Sequence, residues 1–578
     1  MTKSGKKTNF RFEWDDTDDT LRADDPLYNG PSVLPSSSSG GAPAGTARGR
    51  GEHGNRGGSN NRARGSSRSN NHHRNNNNNT PGSYHETIET KPLDQMTSRD
   101  WRIFRENHNI VCKGGKAPPP LRGFRDGNLL HPSLLRALYE NMGYREPTPI
   151  QRQAIPIGLQ RRDLIGIAET GSGKTAAFGI PLVQYLLQLP ANFTSTERVA
   201  EQGPLAMVLA PTRELALQID GEFQKLLHFS FSNQGSKKKN NPISCCPIVG
   251  GQNMTAQAQR LRDGVHVVVG TPGRINECLE LTYMVLNQCL YTILDEGDRM
   301  IDMGFAPQLE SILGHMGGSL KSENEKEAYE QERADLAQLK SLAAAGAVGF
   351  SSSLEFELPK HRVTAMFSAT MPAEVEQMAK KYLRHPAVVS VGDRDSRNNA
   401  RIVQKIIYVG SPSKKEEALR RLVLDPRFMR EKVIVFVNEK KHADGIGRAV
   451  ERFGRRCVVL HGGKSQDERE HNLSVFKQGG VVLVATDVAG RGLDISNIAH
   501  VINYDLPSRS IDSYAHRIGR TGRAGKDGLA TSLLTDDDEG IMAPLKAYLE
   551  STGSVVPDKL ARHPAAQSGM SSEKNLIY

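Results

Sequence analysis

The sequence has few cysteines and lacks long apolar runs. None of its six cysteines forms a C-x-x-C pair, which excludes a zinc ribbon of that spacing and predicts free thiols in a reducing compartment. No apolar stretch approaches the roughly 18 residues that a membrane-spanning helix needs. The start, Met1-Thr2-Lys3, does not have the composition of a signal peptide. These absences predict a soluble intracellular protein.

Apolar residues make up only 37% of the 578 residues, and they are scarcest in one N-terminal tract. Residues 31–83 are mainly Ser, Gly, Asn and Arg, and they include an Asn run at 75–79. A tract of this composition cannot bury enough surface to offset the entropy lost on ordering. We therefore expect it to be disordered.

Positive charge is concentrated in the same tract. Seven arginines and a single glutamate give residues 31–83 a charge of +6, against +10 for the whole chain. An Arg-rich segment of this kind either contacts nucleic-acid phosphates or serves as a solvated spacer, and the composition leaves both interpretations open.

An acidic segment precedes this tract, at residues 8–29, and it carries Phe10, Phe12 and Trp14. Apolar anchors in an otherwise acidic, poorly packed stretch favour a short docking motif for another protein. A fragment of a terminal strand is the alternative that the sequence leaves open.

From about residue 121 the sequence alternates short apolar strands with amphipathic helical segments. LAMVLA (205–210), VHVVVG (265–270), YTILD (291–295) and VTAMFSAT (363–370) are examples. This alternation predicts an α/β fold with parallel sheets and crossover helices. A polar stretch at 391–400 interrupts the pattern, which then restarts, so the sequence predicts two similar lobes joined by a linker.

The composition suggests a division of the chain into seven parts. The predicted parts are a docking segment (1–30), the disordered tract (31–83), a linker (84–120), a first lobe (121–395), an interlobe linker (396–403), a second lobe (404–565) and a tail (566–578). An insertion at about 321–358 interrupts the first lobe. Its charged part, 321–340, predicts a solvated surface helix without chemistry.

AETGSGKT (168–175) follows the apolar strand DLIGIA and opens a helix. Glycines allow the backbone to wrap round phosphates, the helix N-terminus presents N–H groups, Lys174 neutralises charge and the Thr175 hydroxyl holds magnesium. Ala168 replaces the glycine that the strict pattern has first, but the strand–loop–helix context is intact. The predicted phosphate-binding residues are Ala168, Gly171, Ser172, Gly173, Lys174 and Thr175.

The stretch ILDEGDRMIDMGF (293–305) carries a carboxylate pair at the end of a strand. Together with a phosphate loop, such a pair predicts one carboxylate, Asp295, that holds magnesium and another, Glu296, that acts on the attacking water. Gly297 lies between Glu296 and Asp298 in the same stretch, and it raises the question of whether the element is still catalytic.

Taken in order, these and other motifs resemble the DEAD-box RNA helicases from about residue 121 to 565. The resemblance implies two RecA-like lobes of the P-loop NTPase type, with ATP and Mg2+ as cofactors and RNA as partner. The motifs are GYREPTPIQ (143–151), AETGSGKT, PTRELA (211–216), Gly250-Gly251, TPGR (271–274), DEGD (295–298), SAT (368–370), HGGKSQDERE (461–470), ATDVAGRGLDI (485–495) and HRIGRTGRAG (516–525).

Two further segments are similar to the branch of that family associated with the U5 particle of the spliceosome. They are NFRFEWDDTDDT with DPLYN, and SRDWRIFRENHNIVCKGGKAPPPLRGF (98–124). This resemblance implies a role in pre-mRNA splicing, in the exchange of U1 for U6 at the 5′ splice site. It also implies spliceosomal protein partners that bind through residues 8–29, a monomeric helicase core, and a location in the nucleus, with the cytoplasm as a further site.

The resemblance implies roles for individual residues of the nucleotide site. Gln151 would read the adenine edge with Phe124 stacked on the base, and Asp298 would hydrogen-bond to Ser368 and Thr370, which couples the ATP site to the RNA face. The residues of the second lobe that would reach the nucleotide are Gly490, Asp494, Arg520 and Arg523, the two arginines at the γ-phosphate.

The resemblance also implies an RNA-binding set of hydroxyls, guanidinium groups and backbone near glycines. This composition suits recognition of phosphates and 2′-hydroxyls, without reading of bases. The implied residues are Pro211, Thr212, Arg213, Gly251, Thr271 and Arg274 in the first lobe, and Gln466, Arg469 and Thr486 in the second.

The family has alanine where this chain has Gly297. An alanine methyl carries no polar function, so the change removes no catalytic group and costs about 0.5–1 kcal/mol of backbone entropy. The sequence therefore predicts a competent RNA helicase that separates short duplexes. Two alternatives are an ATP-gated RNA clamp with weak hydrolysis, favoured only by Gly297, and a P-loop ATPase acting on protein, which the RNA-facing motifs disfavour.

Overall fold

The computed structural model describes residues 88–169, 171–231, 243–348, 357–392, 402–410, 412–487, 498–507, 511–522 and 527–567. The docking segment (1–30), the predicted disordered tract (31–83) and most of the interlobe linker (396–403) lie outside these residues. None of the helices within the described ranges is long and apolar enough to cross a membrane.

The strands follow the apolar segments of the sequence. They are β1 Ile110–Lys113, β2 Leu164–Ile167, β3 Ala206–Leu209, β4 Cys245–Ile248, β5 Val267–Gly270, β6 Tyr291–Asp295, β7 Val363–Ser368, β8 Ala387–Val391, β9 Ile402–Tyr408, β10 Lys432–Val437, β11 Cys457–Leu460, β12 Val482–Thr486, β13 Ile498–Asn503 and β14 Gly528–Leu534.

The helices lie between the strands. They are α1 Ser98–Asn107, α2 Pro132–Arg136, α3 Pro149–Leu159, α4 Lys174–Gln188, α5 Thr196–Gln202, α6 Arg213–Phe231, α7 Met254–Arg262, α8 Pro272–Glu280, α9 Gly297–Asp302, α10 Ala306–Gly314, α11 Glu325–Val348, α12 Ala373–Tyr382, α13 Pro412–Val423, α14 Lys440–Arg452, α15 Gln466–Lys477, α16 Ile511–Ile518, α17 Glu539–Ser551, α18 Asp558–Arg562 and α19 Pro564–Gln567.

The strands form two separate sheets. The first lobe holds eight strands in the order β1-β8-β2-β7-β6-β3-β5-β4, and the second holds six in the order β11-β12-β10-β13-β14-β9. All neighbouring strands run parallel except β1, which is antiparallel to β8. The prediction of two α/β lobes with parallel sheets is confirmed.

Each sheet is buried on both faces. Along β3 and β6, Val208 and Ile293 point into one apolar core, while Met207 and Leu294 point into another on the opposite face. Successive residues of a strand face opposite sides, so a strand with helices on both faces must be apolar throughout. This is why these strands are continuous apolar runs in the sequence.

The segment predicted as a linker, 84–120, is instead part of the first lobe where it is described. β1 adds an edge strand to the sheet, with Ile110 opposite Val391. In α1, Trp101 and Phe104 are buried together with Ile88. The linker prediction was wrong here because it followed the Gly- and Pro-rich end of the segment and overlooked the apolar residues spaced three apart in α1.

The insertion forms a helix, as predicted, but that helix is not simply solvated. Leu339 and Leu342 of α11 are buried in the core of the first lobe. Just before the helix, the buried Lys321 ammonium lies 3.1 Å from an Asp163 carboxylate oxygen and 3.3 Å from one of Glu332. The many charges of the segment suggested a solvated helix because their burial as ion pairs is not visible in a sequence.

Candidate nucleotide and RNA site

Three neighbouring strands bring the predicted catalytic motifs to one edge of the first sheet. β7 lies between β2 and β6, with Ile167 opposite Ser368 and Asp295 opposite Phe367. The phosphate loop follows β2, SAT ends β7, and DEGD ends β6. Because parallel strands end at the same edge, motifs that are far apart in the sequence meet there.

The phosphate loop depends on its glycines. Gly171 and Gly173 have φ values of 86° and 93°, in the left-handed region. A Cβ on Gly173 would lie only 2.5 Å from the Gln151 side-chain nitrogen, so no larger residue fits there. The Lys174 ammonium is buried and donates a hydrogen bond of 3.0 Å to the Ala168 carbonyl. The loop therefore holds a cation inside a tight backbone turn.

Two features of the loop suit a phosphate ligand bound with magnesium. The Ser172 hydroxyl is buried and makes no hydrogen bond to any described residue. Thr175, partly exposed in the first turn of α4, carries a second hydroxyl at the helix N-terminus, where N–H groups favour anions. The donor set present, two hydroxyls, an ammonium and the Asp295 carboxylate, fits a magnesium–phosphate ligand.

Gln151 is held against this loop from the first turn of α3. Its amide nitrogen donates to the Gly173 carbonyl at 3.0 Å, and its amide oxygen accepts from the Thr148 backbone N–H at 3.0 Å. The second bond completes a capping box at the start of α3. Gln151 therefore lies at the nucleotide loop, and its reading of adenine stays a prediction.

The structure contradicts the role expected for Phe124. Its ring is only 1% exposed and packs in the core of the lobe, edge-on to Tyr139 at 6.2 Å between ring centroids. A ring with no accessible face cannot stack on a base in this conformation. The residue was assigned because it is the aromatic side chain upstream of Gln151, and its burial is a property of the tertiary fold.

Asp295 is buried at the end of β6. Burial raises the pKa of its carboxyl to about 6, although the nearby Lys174 ammonium partly opposes this shift. A carboxylate in such surroundings is stabilised by a cation. The position therefore fits a metal ligand, as the sequence predicts.

Glu296 is oriented by a residue that the sequence reading missed. Its backbone has a φ of 54°, and its buried carboxylate lies 2.9 Å from the guanidinium of Arg299. Arg299 is itself buried three positions later in α9. The spacing Glu-x-x-Arg at the start of a helix is the signal that could have identified this pair.

Asp298 makes the hydrogen bonds predicted for it. Thr370 donates to one carboxylate oxygen from both its hydroxyl, at 2.8 Å, and its backbone N–H, at 3.0 Å. The Asp298 backbone N–H donates to the Ser368 hydroxyl at 3.2 Å. Burial acts to raise the pKa of Asp298, but the charge of His516 and the Thr370 bond together lower it. The contacts are present, and their coupling role stays a prediction.

The second lobe contributes fewer described residues to this site. His516 lies in α16, close enough to affect the Asp298 carboxyl, and the Arg520 side chain just after this helix is buried. The other predicted residues of this lobe, Gly490, Asp494 and Arg523, lie outside the described residues.

The RNA-binding residues predicted in the first lobe form two groups, one around the Gly250-Gly251 turn and one at the starts of helices. The Arg213 guanidinium lies directly over the Gly250-Gly251 turn, where a side chain on Gly251 would collide with it. Arg274 donates a hydrogen bond of 3.4 Å to the carbonyl of Gln252, the residue that follows this turn. Pro211, Thr212 and Thr271 are buried at helix starts, and the Thr212 hydroxyl accepts from the Leu215 N–H at 3.3 Å.

In the second lobe, Arg469 is not placed as an open RNA contact. Its guanidinium lies 2.5 Å from a carboxylate oxygen of Glu214 in the first lobe. Glu214 was not singled out, although it stands inside PTRELA. Gln466, at the start of α15, donates to Glu470 at 2.8 Å, and Thr486 is buried at the end of β12. The Arg469 contact thus joins the lobes, which a single motif cannot reveal.

Comparisons with known proteins agree with this geometry. The sequence matches the DEAD/DEAH box helicase family over residues 148–378 and the helicase conserved C-terminal domain over residues 414–525. It is 48% identical over 479 residues to DEAD-box ATP-dependent RNA helicase 21 of Oryza sativa subsp. japonica, covering 82% of this chain and 59% of that protein.

A second relative is the pre-mRNA-splicing ATP-dependent RNA helicase prp28 of Aspergillus niger, 43% identical over 482 residues, or 83% of this chain and 55% of that protein. The chain therefore spans less than two thirds of the length of these relatives. Among solved structures, Dbp5 of S. cerevisiae bound to RNA and ADP BeF3 aligns with a TM-score of 0.54 and 26% identity, over 75% of this chain and 95% of that one.

Proposed function

Because this chain belongs to the DEAD/DEAH box helicase family, we propose that it is an RNA-dependent ATPase that separates short RNA duplexes. The observation that carries the proposal is the bonding of Asp298 to Thr370, at 2.8 Å, beside Asp295 and Glu296. It links the carboxylates that act on ATP to the SAT segment, so a change at the nucleotide can alter the neighbouring backbone.

Each residue has a chemical task in this proposal. Lys174 and the loop N–H groups bind the phosphates, and Thr175 and Asp295 hold Mg2+, which neutralises phosphate charge when bound. Glu296, oriented by Arg299 at 2.9 Å, accepts a proton from the attacking water. Arg520 and Arg523 stabilise charge on the γ-phosphate from the second lobe.

Strand separation follows from closure of the lobes on ATP and RNA. The RNA-facing residues contact phosphates and 2′-hydroxyls, so a strand bent across both lobes no longer fits an A-form duplex. Hydrolysis removes the γ-phosphate contacts, and the lobes release the strand. Local opening of short duplexes suits the one pair of lobes that the described residues form.

We further propose that the substrate lies in the spliceosome, at the exchange of U1 for U6 on the 5′ splice site, and that the protein acts in the nucleus as a monomer. Support comes from the similarity of segments 8–29 and 98–124 to the U5-associated branch, and from relatives such as the Aspergillus niger protein, named for pre-mRNA splicing. Residues 8–29 are the proposed docking site for spliceosomal proteins.

Among the described residues, the surroundings of Gly297 do not favour the RNA clamp. A Cβ on Gly297 would lie 3.3 Å from the Met366 Cγ, so an alanine methyl would fit there after a small shift of the Met366 side chain. The catalytic carboxylates on either side keep their partners. The change at this position therefore leaves the machinery for hydrolysis in place.

ATP turnover with and without RNA tests the proposal, with Glu296→Gln as the inactive control and unwinding of a short duplex followed in parallel. RNA-stimulated turnover and ATP-dependent unwinding, both absent in the control, are expected. Tight binding of RNA and ATP with turnover no faster than the control would establish the clamp instead.

A further inference from the structure

Three consecutive polar side chains in the first turns of α3 are all buried, and between them they bind two different segments. Gln151 binds the phosphate loop through Gly173. Arg152 and Gln153 bind residues 98–122, a segment that the proposed mechanism does not use. We call this segment the N-terminal clamp; in this subsection "the clamp" means this segment and not the RNA-clamp function considered above.

The clamp holds Gln153 from two sides. The Arg105 guanidinium donates to the Gln153 side-chain oxygen at 2.9 Å, and the Gln153 nitrogen donates to the Pro118 carbonyl at 2.8 Å. Gln153 is fully buried, so both of its polar ends depend on these partners. Loss of the Arg105 bond would leave a buried acceptor unpaired.

The clamp also holds Arg152. Its guanidinium donates to the carbonyls of Leu121 and Arg122 at 3.2 and 2.5 Å, and it lies over the Phe104 ring at 5.5 Å. The Leu121 N–H in turn donates to the Arg152 carbonyl at 2.8 Å. The start of α3 is therefore fixed to the clamp by backbone as well as side-chain bonds.

From these contacts we infer that Arg105 is a positioning residue for nucleotide binding, acting through Gln153 and the rigid turn of α3 on Gln151 and the phosphate loop. The turn is short, and only one residue separates Gln153 from Gln151. A shift of the helix start moves the Gln151 amide away from Gly173, where a 3.0 Å bond now holds it. The clamp thus sets the shape of the loop before nucleotide arrives.

This inference rests on the proposed function, because it assumes that the loop binds nucleotide. Titration of fluorescent ADP against the full chain without RNA tests it. We expect Arg105→Ala to weaken ADP binding about three- to tenfold, the range in which packed networks couple sites. Arg105→Lys, which keeps a donor, should recover most of the affinity. RNA binding without nucleotide should not change.

Arg102→Ala is the matched control, since Arg102 lies on the same helix but is exposed. Gln153→Ala breaks the same contact from the other side and serves if Arg105→Ala folds poorly, as judged by its melting temperature. A double-variant cycle with Gln151→Ala gives the sharpest readout. If the clamp acts through Gln151, then Arg105→Ala adds no further loss of ADP affinity in that background.

Two results would overturn the inference. One is a loss of ADP affinity in Arg105→Ala that is no larger than in Arg102→Ala. The other is a double variant in which the fold-losses of Arg105→Ala and Gln151→Ala multiply. If the unaltered chain bound no ADP at all, the proposed function itself would fail. The two failures are therefore distinguishable.

Discussion

Arg469 and Glu214 join the two lobes through an ion pair with 2.5 Å between their nearest nitrogen and oxygen atoms. The two side chains are only 9% and 6% exposed, so water screens the pair weakly. The pair exists only when α15 faces the start of α6. It therefore stabilises the arrangement in which α15 of the second lobe contacts the start of α6 in the first.

Removal of either charge should impair closure of the lobes. Glu214→Ala leaves Arg469 without its carboxylate in a nearly dry interface, which typically costs about 2–5 kcal/mol. RNA-stimulated ATP turnover is expected to fall about tenfold or more, while nucleotide binding without RNA is retained. Steady-state turnover at saturating RNA measures the effect, and Lys225→Ala, at an exposed position of the same helix, is the control.

Exchange of the two charges distinguishes a role of Arg469 in lobe closure from a role in RNA binding. If Arg469 acts through the ion pair, the double variant Glu214→Arg with Arg469→Glu should recover part of the turnover. If Arg469 acts only as an RNA ligand, the exchange restores nothing and Glu214→Ala is silent.

Gly297→Ala should stabilise the first lobe slightly and leave turnover within about twofold of the unaltered chain. Alanine removes backbone freedom from the unfolded state, worth about 0.4–1 kcal/mol, while the flexible Met366 side chain must move by only a few tenths of an ångström. Calorimetric melting and ATP turnover check both parts. Gly297→Val is the contrasting variant, since its extra methyl groups overpack the same contact and should lower the melting temperature.

The stability of the second lobe should fall as the pH drops from 6.5 towards 4. Burial lowers the pKa of His500 to about 4 from its ordinary 6.5, so the unfolded chain takes up a proton in this window that the folded lobe does not. The full effect is roughly 3 kcal/mol. His500→Gln should flatten the pH dependence of unfolding, measured by denaturant titration; an unchanged slope would contradict the assignment. The control substitution His442→Gln, at an exposed position, should leave the pH dependence of unfolding unchanged.

Lys321→Ala should destabilise the first lobe strongly, by about 3–5 kcal/mol, since it leaves Asp163 and Glu332 buried without their shared cation. The melting temperature of the full chain measures the loss. Lys326→Ala, in the exposed first turn of α11, is the matched control. Equal, small effects of both substitutions would mean that the insertion is not anchored in the lobe.

Much of the site was readable in the sequence because its motifs are local. A loop such as AETGSGKT needs its glycines, lysine and threonine at fixed spacings, and the Asp298 contacts with Ser368 and Thr370 follow from motifs recognised as a set. Arg299 and Glu214 were missed because their roles depend on the carboxylate or guanidinium group that each one meets. Phe124 was misassigned because spacing along a chain does not report burial.

The sequence by itself determined the parallel strands of both sheets, since strands covered on both faces must be apolar throughout. It also determined the phosphate loop, since Gly171 and Gly173 have left-handed φ values that favour glycine. The tertiary structure decided which charged and aromatic side chains are buried and which partners they contact. It buried Phe124, anchored the charged insertion through Lys321, closed Arg469 onto Glu214 and packed residues 98–122 against the start of α3. Contacts between distant segments set the burial and pairing of these groups, and no local pattern encodes which segments meet.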